Sequence, residues 1–290
     1  MSVADATPNP AVLVSTDWAR EHLEDPKVRF LEVDVDTDAY ETGHLPGATG
    51  VNWKRQLTDR VMRDLATRDD LQALLRGAGI DDDTTIVMYG DNHNWFAAWA
   101  YWQLRYQGLD NVRLLDGGRA KVEADGLMLT TDAPSHAPGS ITLPNETREE
   151  LRAYRQEVID GIGSQDRDLV DVRSPEEFRG ELSAPAHLPQ EAAQRRGHIP
   201  GAVNVPWSTA VAEDGTFRPI EQLRELYAAK GVSGEDEVVA YCRIGERSSH
   251  TWFVLHELLG YRNVRNYDGS WTEYGSLVGV PIETGEASAN

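Results

Sequence analysis

The chain has one cysteine, Cys242, among its 290 residues. That count excludes an intramolecular disulfide and a Cys-rich zinc site, and a lone thiol fits a reducing cytoplasm, the compartment expected here. No apolar run approaches the roughly 18 residues that a bilayer span needs, so no span is expected. The opening segment MSVADATPNP has no basic stretch followed by an apolar core, so no secretory signal is expected. Positive charge is scarce, with Lys+Arg 28 against Asp+Glu 48 and a formal net charge of -20. Such a surface repels nucleic acid and anionic membranes, which removes both as expected partners. Gly 25 and Pro 14 are too few for a fibrous or disordered chain. What remains is an ordinary globular composition, long enough for two domains.

What is present is a repeat. Gly43-His44-Leu45-Pro46-Gly47-Ala48 returns as Gly197-His198-Ile199-Pro200-Gly201-Ala202, 154 residues later. Gly108-Leu109-Asp110-Asn111-Val112 returns as Gly260-Tyr261-Arg262-Asn263-Val264, and Asp116-Gly117-Gly118 as Asp268-Gly269-Ser270, both 152 residues later. Two matches in the same order at nearly the same shift read as two copies of one fold. Strands are expected at 28–33, 85–89, 168–172 and 237–241, with helices at 95–106 and 248–259. Short strands alternating with helices imply an α/β fold, each copy a parallel sheet flanked by helices on both faces. The expected domains are 1–130 and 151–290, with a proline-bearing linker at 131–150. The second copy carries an insert from Gly180 to Gly197, with Pro185 and Pro189, expected as a surface loop. His44 and His198 occupy equivalent places, yet only one copy has a thiol, so both histidines are expected to be structural.

Burial as an apolar filler is the ordinary fate of a cysteine, so a role for Cys242 must come from its neighbours. Cys242 directly follows an expected strand and precedes an expected helix, in the run Cys242-Arg243-Ile244-Gly245-Glu246-Arg247-Ser248. Backbone amides of such a loop can converge on one point, at the end of the sheet where ligands bind. Those amides, Arg243 and Arg247 are expected to lower the thiol below the ~8.5 of a free cysteine. Gly245 lets the chain turn around the sulfur. The result reads as a nucleophile with arginines placed to bind an anion. The first copy has Gly90-Asp91-Asn92-His93-Asn94-Trp95 at the equivalent positions, without thiol or arginine. Trp95 and Phe96 are expected to pack in the core. His250, eight residues after Cys242, is expected to pack rather than catalyse.

The paired turns, Asp171-Val172-Arg173-Ser174-Pro175-Glu176-Glu177-Phe178, the Cys242 loop and Tyr267-Asp268-Gly269-Ser270-Trp271 together resemble the two-domain thiosulfate sulfurtransferases of the rhodanese family. The loop resembles especially the bacterial CysA-like group. The resemblance runs from about Val12 to Pro281. It implies two tandem rhodanese-like domains, the first catalytically inactive, and a persulfide on Cys242 during turnover. Thiosulfate would donate the sulfur, a thiophilic acceptor such as cyanide or a thiol would take it, and sulfite would leave. No cofactor and no metal are implied, and a monomer is expected. The residues expected to bind substrate are Arg243, Ile244, Gly245, Glu246, Arg247 and Ser248, with Asp171 and Arg173 as supports; a surface ion pair is the other reading of those two. Trp207 and Trp271 follow turn motifs and would wall the pocket or simply be buried.

Three rival readings remain. Cysteine-dependent phosphatases separate Cys and Arg by five residues, whereas four stand between Cys242 and Arg247, and Glu246 would repel a phosphate. The 3-mercaptopyruvate sulfurtransferases share the fold, but their loops are near-neutral, and paired guanidiniums suit a compact dianion better. A non-catalytic sulfur-carrier or regulatory module is the third. The chain also departs from the animal thiosulfate enzymes. Ile244 stands where they have a basic residue, and Glu177 where they have an arginine, while their loop lacks a counterpart of Arg247.

Overall fold

The computed structural model describes residues 9–183 and 193–286. Residues 184–192, with Pro185 and Pro189 of the expected insert, lie outside the described residues. The chain divides into two compact units. The first is Pro10–Arg148 with Ala212–Phe217; the second holds Glu149–Val211 and Arg218–Asn290 with the short segment that ends at Asn9.

The first unit contains β1 (Leu13–Val14), α1 (Thr16–His22), β2 (Val28–Glu32), β3 (Thr49–Gly50), α2 (Trp53–Gln56), the two short strands β4 (Thr58–Asp59) and β5 (Asp64–Leu65), α3 (Arg68–Gly77), β6 (Thr85–Tyr89), α4 (Asp91–Tyr106), β7 (Val112–Leu115) and α5 (Gly118–Ala124). Its sheet has the order β1-β7-β6-β2-β3, and every pairing in it is parallel. The second unit contains α6 (Arg155–Asp160), β8 (Arg167–Asp171), α7 (Pro175–Arg179), β9 (Val203–Asn204), α8 (Ile220–Ala228), β10 (Glu237–Tyr241), α9 (Glu246–Trp252), β11 (Val264–Asn266) and α10 (Ser270–Tyr274). Its parallel sheet has the order β11-β10-β8-β9. Central strands such as Thr85–Tyr89 and Glu237–Tyr241 are buried beyond their first residue, as strands with both faces covered must be. The fold is the expected α/β pair of helix-flanked parallel sheets. Among the described residues no helix is long and apolar enough to cross a membrane.

The four expected strands lie within one residue of their observed bounds. The helices begin differently in the two copies. In α4, Asn92, His93 and Asn94 are left-handed at φ 45°, 57° and 65°, so regular helix starts at Trp95, as expected. In the second copy helix starts at Glu246, two residues early, and continues past Trp252 as a π-helical turn over Phe253–Leu258. The segment read as a linker runs as a strap on the first unit. Ser140 donates to Asp81 Oδ1 from its amide at 2.8 Å and its hydroxyl at 2.7 Å, Thr142 N donates to Asp82 Oδ1 at 2.8 Å, and Ile141 and Leu143 are buried.

The repeat extends to side chains. His44 Nδ1 lies 3.0 Å from the Tyr40 carbonyl and its ring stacks on Tyr40 at 3.8 Å. His198 Nδ1 lies 2.8 Å from the Phe178 carbonyl and stacks on Phe178 at 3.6 Å. Each turn is tied to its central strand by a tyrosine hydroxyl, with Leu45 N donating to Tyr89 and Ile199 N to Tyr241. Both histidines therefore hold turns.

Candidate active site

β10 delivers Cys242 at its carboxyl end, and four residues later α9 is under way. The chain between curls around the sulfur. Gly245 N donates to Sγ at 3.2 Å. Gly245 sits at φ +99°, and a Cβ there would meet the Asp268 Cα at 2.7 Å, so only glycine fits. Asn266, at the end of β11, braces the curl from below. Its Nδ2 donates to Gly245 O at 3.1 Å and to Ser249 Oγ at 2.9 Å, and its Oδ1 accepts from Ser248 Oγ at 2.6 Å. The amides of Trp271 and Thr272 cap the carbonyls of Cys242 and Arg243 at 3.1 and 2.9 Å. Of the six residues from Arg243 to Ser248, Ile244 alone is not buried. Cys242 is fully buried, but polar atoms line its sulfur.

The charges are arranged otherwise than the sequence suggested. Arg247 does not present its fork to the sulfur. Its two terminal nitrogens donate to the Glu177 carboxylate at 2.8 and 3.0 Å, and both side chains are buried. Burial alone would raise the Glu177 carboxyl, but the hydrogen bonds and charge of Arg247 outweigh it and hold the carboxyl below its ordinary value. Glu246 turns inward instead, and the Cys242 thiol donates to its Oε2 at 3.6 Å. The expected low thiol pKa is therefore corrected. Burial first, and the Glu246 carboxylate second, push the Cys242 thiol up, against the opposing pull of Arg247 and the Ser248 amide.

Asp171 and Arg173 are not a surface pair. Arg173 donates to both Asp171 oxygens, from Nε at 3.0 and 3.1 Å, with both residues buried. The same guanidinium donates to Gly197 O at 2.7 Å and lies 4.6 Å over the Trp271 ring. It braces the histidine turn and Trp271. Trp271 is buried with its indole N–H on Arg195 O at 3.0 Å. The His250 ring packs edge-on against Trp207 at 5.1 Å. Trp95 and Phe96 are core residues of the first unit. A cavity of about 260 Å³ bounded by Leu23, Arg29, Pro46 and His136 lies in the first unit, away from any nucleophile. Among the described residues no cluster of His, Cys, Asp or Glu is placed to hold a metal ion.

Sequence reasoning left three residues without a role. Glu177 is one; its signal was the Ser174-x-x-Glu177 capping box. Ser174 Oγ accepts from Glu177 N, and Glu177 Oε2 accepts from Ser174 N, which fixes the carboxylate that then receives Arg247. Asn266 is the second. Ser270 is the third, and the repeat could have found it. It stands where the first copy has Gly118, and it takes the same left-handed backbone, φ +52° against +58°. A serine at a glycine conformation carries strain, and here its Oγ accepts the Cys242 amide at 3.0 Å. Ser270→Ala keeps the strain and leaves that buried amide without its acceptor. It is expected to cost about 1–3 kcal/mol in denaturant unfolding.

The equivalent loop of the first copy is closed. A Cβ at Gly90 would lie 2.1 Å from Val33 O, so no side chain can stand where Cys242 stands in the second copy. Asn94, the counterpart of Glu246, turns back so that its Oδ1 accepts from Gly90 N at 3.0 Å. Gly90→Cys is expected to destabilise the protein by about 1–3 kcal/mol or more. It should give no second thiol reactive toward iodoacetamide in the folded state.

Two strand–loop–helix units, one with a cysteine whose sulfur accepts a loop amide, can be compared with known families. The rhodanese-like domain family matches residues 15–125 and 154–277. The chain belongs to the rhodanese-like family. Its relatives span its whole architecture. It is 57% identical over 272 residues to a Saccharopolyspora erythraea protein named "Putative thiosulfate sulfurtransferase", covering 94% of this chain and 96% of the relative. It is 53% identical over 285 residues to the sulfur carrier protein TtuD of Thermus thermophilus, covering 96% and 98%. Among solved structures, YnjE superposes with a TM-score of 0.83 at 26% identity, covering 96% of this chain and 70% of that one. A structure of EanB described as carrying a cysteine persulfide, with ergothioneine, superposes at 0.80 with 27% identity, covering 94% and 70%. As a tandem rhodanese-like protein, the chain has one copy with a thiol in the loop and one copy whose loop has no room for a side chain at Gly90, the position equivalent to Cys242.

Proposed function

We propose that the protein is a thiosulfate sulfurtransferase that works through a persulfide on Cys242. The observation that carries this reading is the Gly245 amide aimed at Sγ from 3.2 Å, at the carboxyl end of a central parallel strand. A donor placed there stabilises negative charge on the cysteine sulfur or on a sulfur attached to it. The Cys242 sulfur attacks the outer sulfur of thiosulfate, the S–S bond of thiosulfate breaks, and its electron pair leaves on sulfite. An acceptor such as cyanide or a thiol then attacks the terminal persulfide sulfur and returns the pair to Sγ, giving ping-pong kinetics. Substrate meets the loop residues Arg243, Ile244, Gly245, Glu246, Arg247 and Ser248, entering past Ile244 at the rim. Arg247 acts by charge, since Glu177 holds its fork. Asp171 and Arg173 support the turn behind the site. The first copy, residues 1–130, has no catalytic part in this reading.

Relatives named for thiosulfate sulfurtransfer, 57% identical over nearly full length, support thiosulfate as donor. The EanB persulfide supports the intermediate in this fold. TtuD favours a second reading, in which the same persulfide is passed on as cargo by a sulfur carrier. A cyanide-dependent thiocyanate assay with thiosulfate, 3-mercaptopyruvate and a phosphate ester side by side separates these. Multiple turnover with thiosulfate is expected. Turnover with mercaptopyruvate alone overturns the choice of donor, and a single turnover followed by silence favours the carrier.

A further inference from the structure

Resting on that reading, we infer that Glu246 is the proton acceptor of Cys242, so that the thiol and the carboxylate hold one proton between them. Two observations carry this. The thiol donates to Glu246 Oε2 at 3.6 Å inside a site where both side chains are buried. The other oxygen, Oε1, is buried with no hydrogen-bond partner among the described residues. A carboxylate so poorly satisfied is costly, and taking a proton relieves the cost. The charged groups around the pair are Arg243 and Arg247 on the loop and α9, Glu177 of α7 neutralised by Arg247, and Asp268 before α10 neutralised by Arg152 at 2.9 Å. His250 lies one turn further along α9.

One proton in the pair leaves the site with a single negative charge when the thiosulfate dianion arrives. As Sγ bonds to the outer sulfur, its proton passes to Glu246 Oε2, and the electron pair of the broken S–S bond leaves on sulfite. The persulfide then carries the negative charge beside a neutral carboxylic acid. When the acceptor removes the terminal sulfur, Sγ regains its electron pair and takes the proton back. At low pH both groups are protonated and Sγ is no nucleophile. At high pH the shared proton is lost, two charges face the dianion, and attack is repelled. The two steps belong to the pair.

The test has two arms. In the first, iodoacetamide alkylation of Cys242 is followed against pH, which needs no sulfur donor. Glu246→Gln removes the neighbouring charge, and the alkylation midpoint is expected to fall by about 1–3 pH units. In the second, kcat/KM for thiosulfate is bell-shaped with pH in the natural protein, and Glu246→Gln keeps the acid limb but loses the alkaline fall. An unchanged or higher alkylation midpoint, or an alkaline fall that survives the substitution, overturns the inference. If Glu246→Gln does not fold, Glu246→Asp draws the carboxylate back from the sulfur and should lower the midpoint by less. A fall in midpoint without sulfur uptake from thiosulfate would leave the proton pair standing and sink the sulfurtransferase reading instead.

Discussion

Cys242→Ser is expected to reduce thiosulfate-dependent thiocyanate formation to background, a loss on the order of 10³-fold or more. The serine hydroxyl occupies nearly the same volume and can accept the Gly245 amide that now reaches Sγ. It stays protonated at neutral pH and forms no stable bond to a sulfane sulfur, so the first half-reaction has no nucleophile. The chain holds no other cysteine to take over. The fold should survive, because the Gly245 amide, the Asn266 brace and the Ser270 hydroxyl under the Cys242 amide are all retained. The check is the cyanide assay beside a thermal melt. Lost activity with an unchanged Tm is expected, and residual turnover near the natural rate would place the chemistry elsewhere.

Arg247→Ala has the largest expected effect on stability. The substitution strands the Glu177 carboxylate, which is wholly buried and now accepts two guanidinium hydrogen bonds. Removing one partner of a buried pair typically costs about 3–5 kcal/mol, because the other charge is left uncompensated. For a protein of this size that lowers Tm by roughly 10 °C. Replacing both members, Arg247→Met with Glu177→Gln, removes the stranded charge and should recover most of the loss in Tm. Activity should stay low in the double variant, because the positive charge that favours the Cys242 thiolate is gone. The pair also sets an acid limit. Since Glu177 titrates below its unfolded value, its contribution is present above the ordinary carboxylate range and is lost as pH falls through the depressed folded value. The natural protein should lose stability on acidification more steeply than the double variant, as read from Tm against pH.

Much of this was legible in the chain itself. The paired Gly-His-x-Pro-Gly-Ala segments and the matching strands marked two parallel sheets, because hydrophobic runs bounded by turns leave few alternatives. The Cys242 loop was legible because strand, cysteine, glycine and helix follow in order. What the sequence did not disclose depends on where side chains turn. Glu177 and Arg247 are 70 residues apart, and only the fold shows that two of the three departures from the animal thiosulfate enzymes, an acid at 177 and a base at 247, are one ion pair. Glu246 looked like part of a ring facing the substrate, yet its carboxylate turns to the sulfur and adds to the burial that, as the larger cause, pushes the thiol pKa up rather than down. The segment 131–150 read as a linker because the anchors of its strap, Asp81 and Asp82, lie far away in sequence.

Persulfide formation on Cys242 is the step on which everything else depends. Incubating the folded protein with thiosulfate, removing excess reagent and weighing the Cys242 peptide under non-reducing conditions tests it directly. A gain of one sulfur atom on that peptide, discharged by cyanide as thiocyanate, is the expected result; an unmodified Cys242 peptide from protein that has nonetheless released sulfite would contradict it.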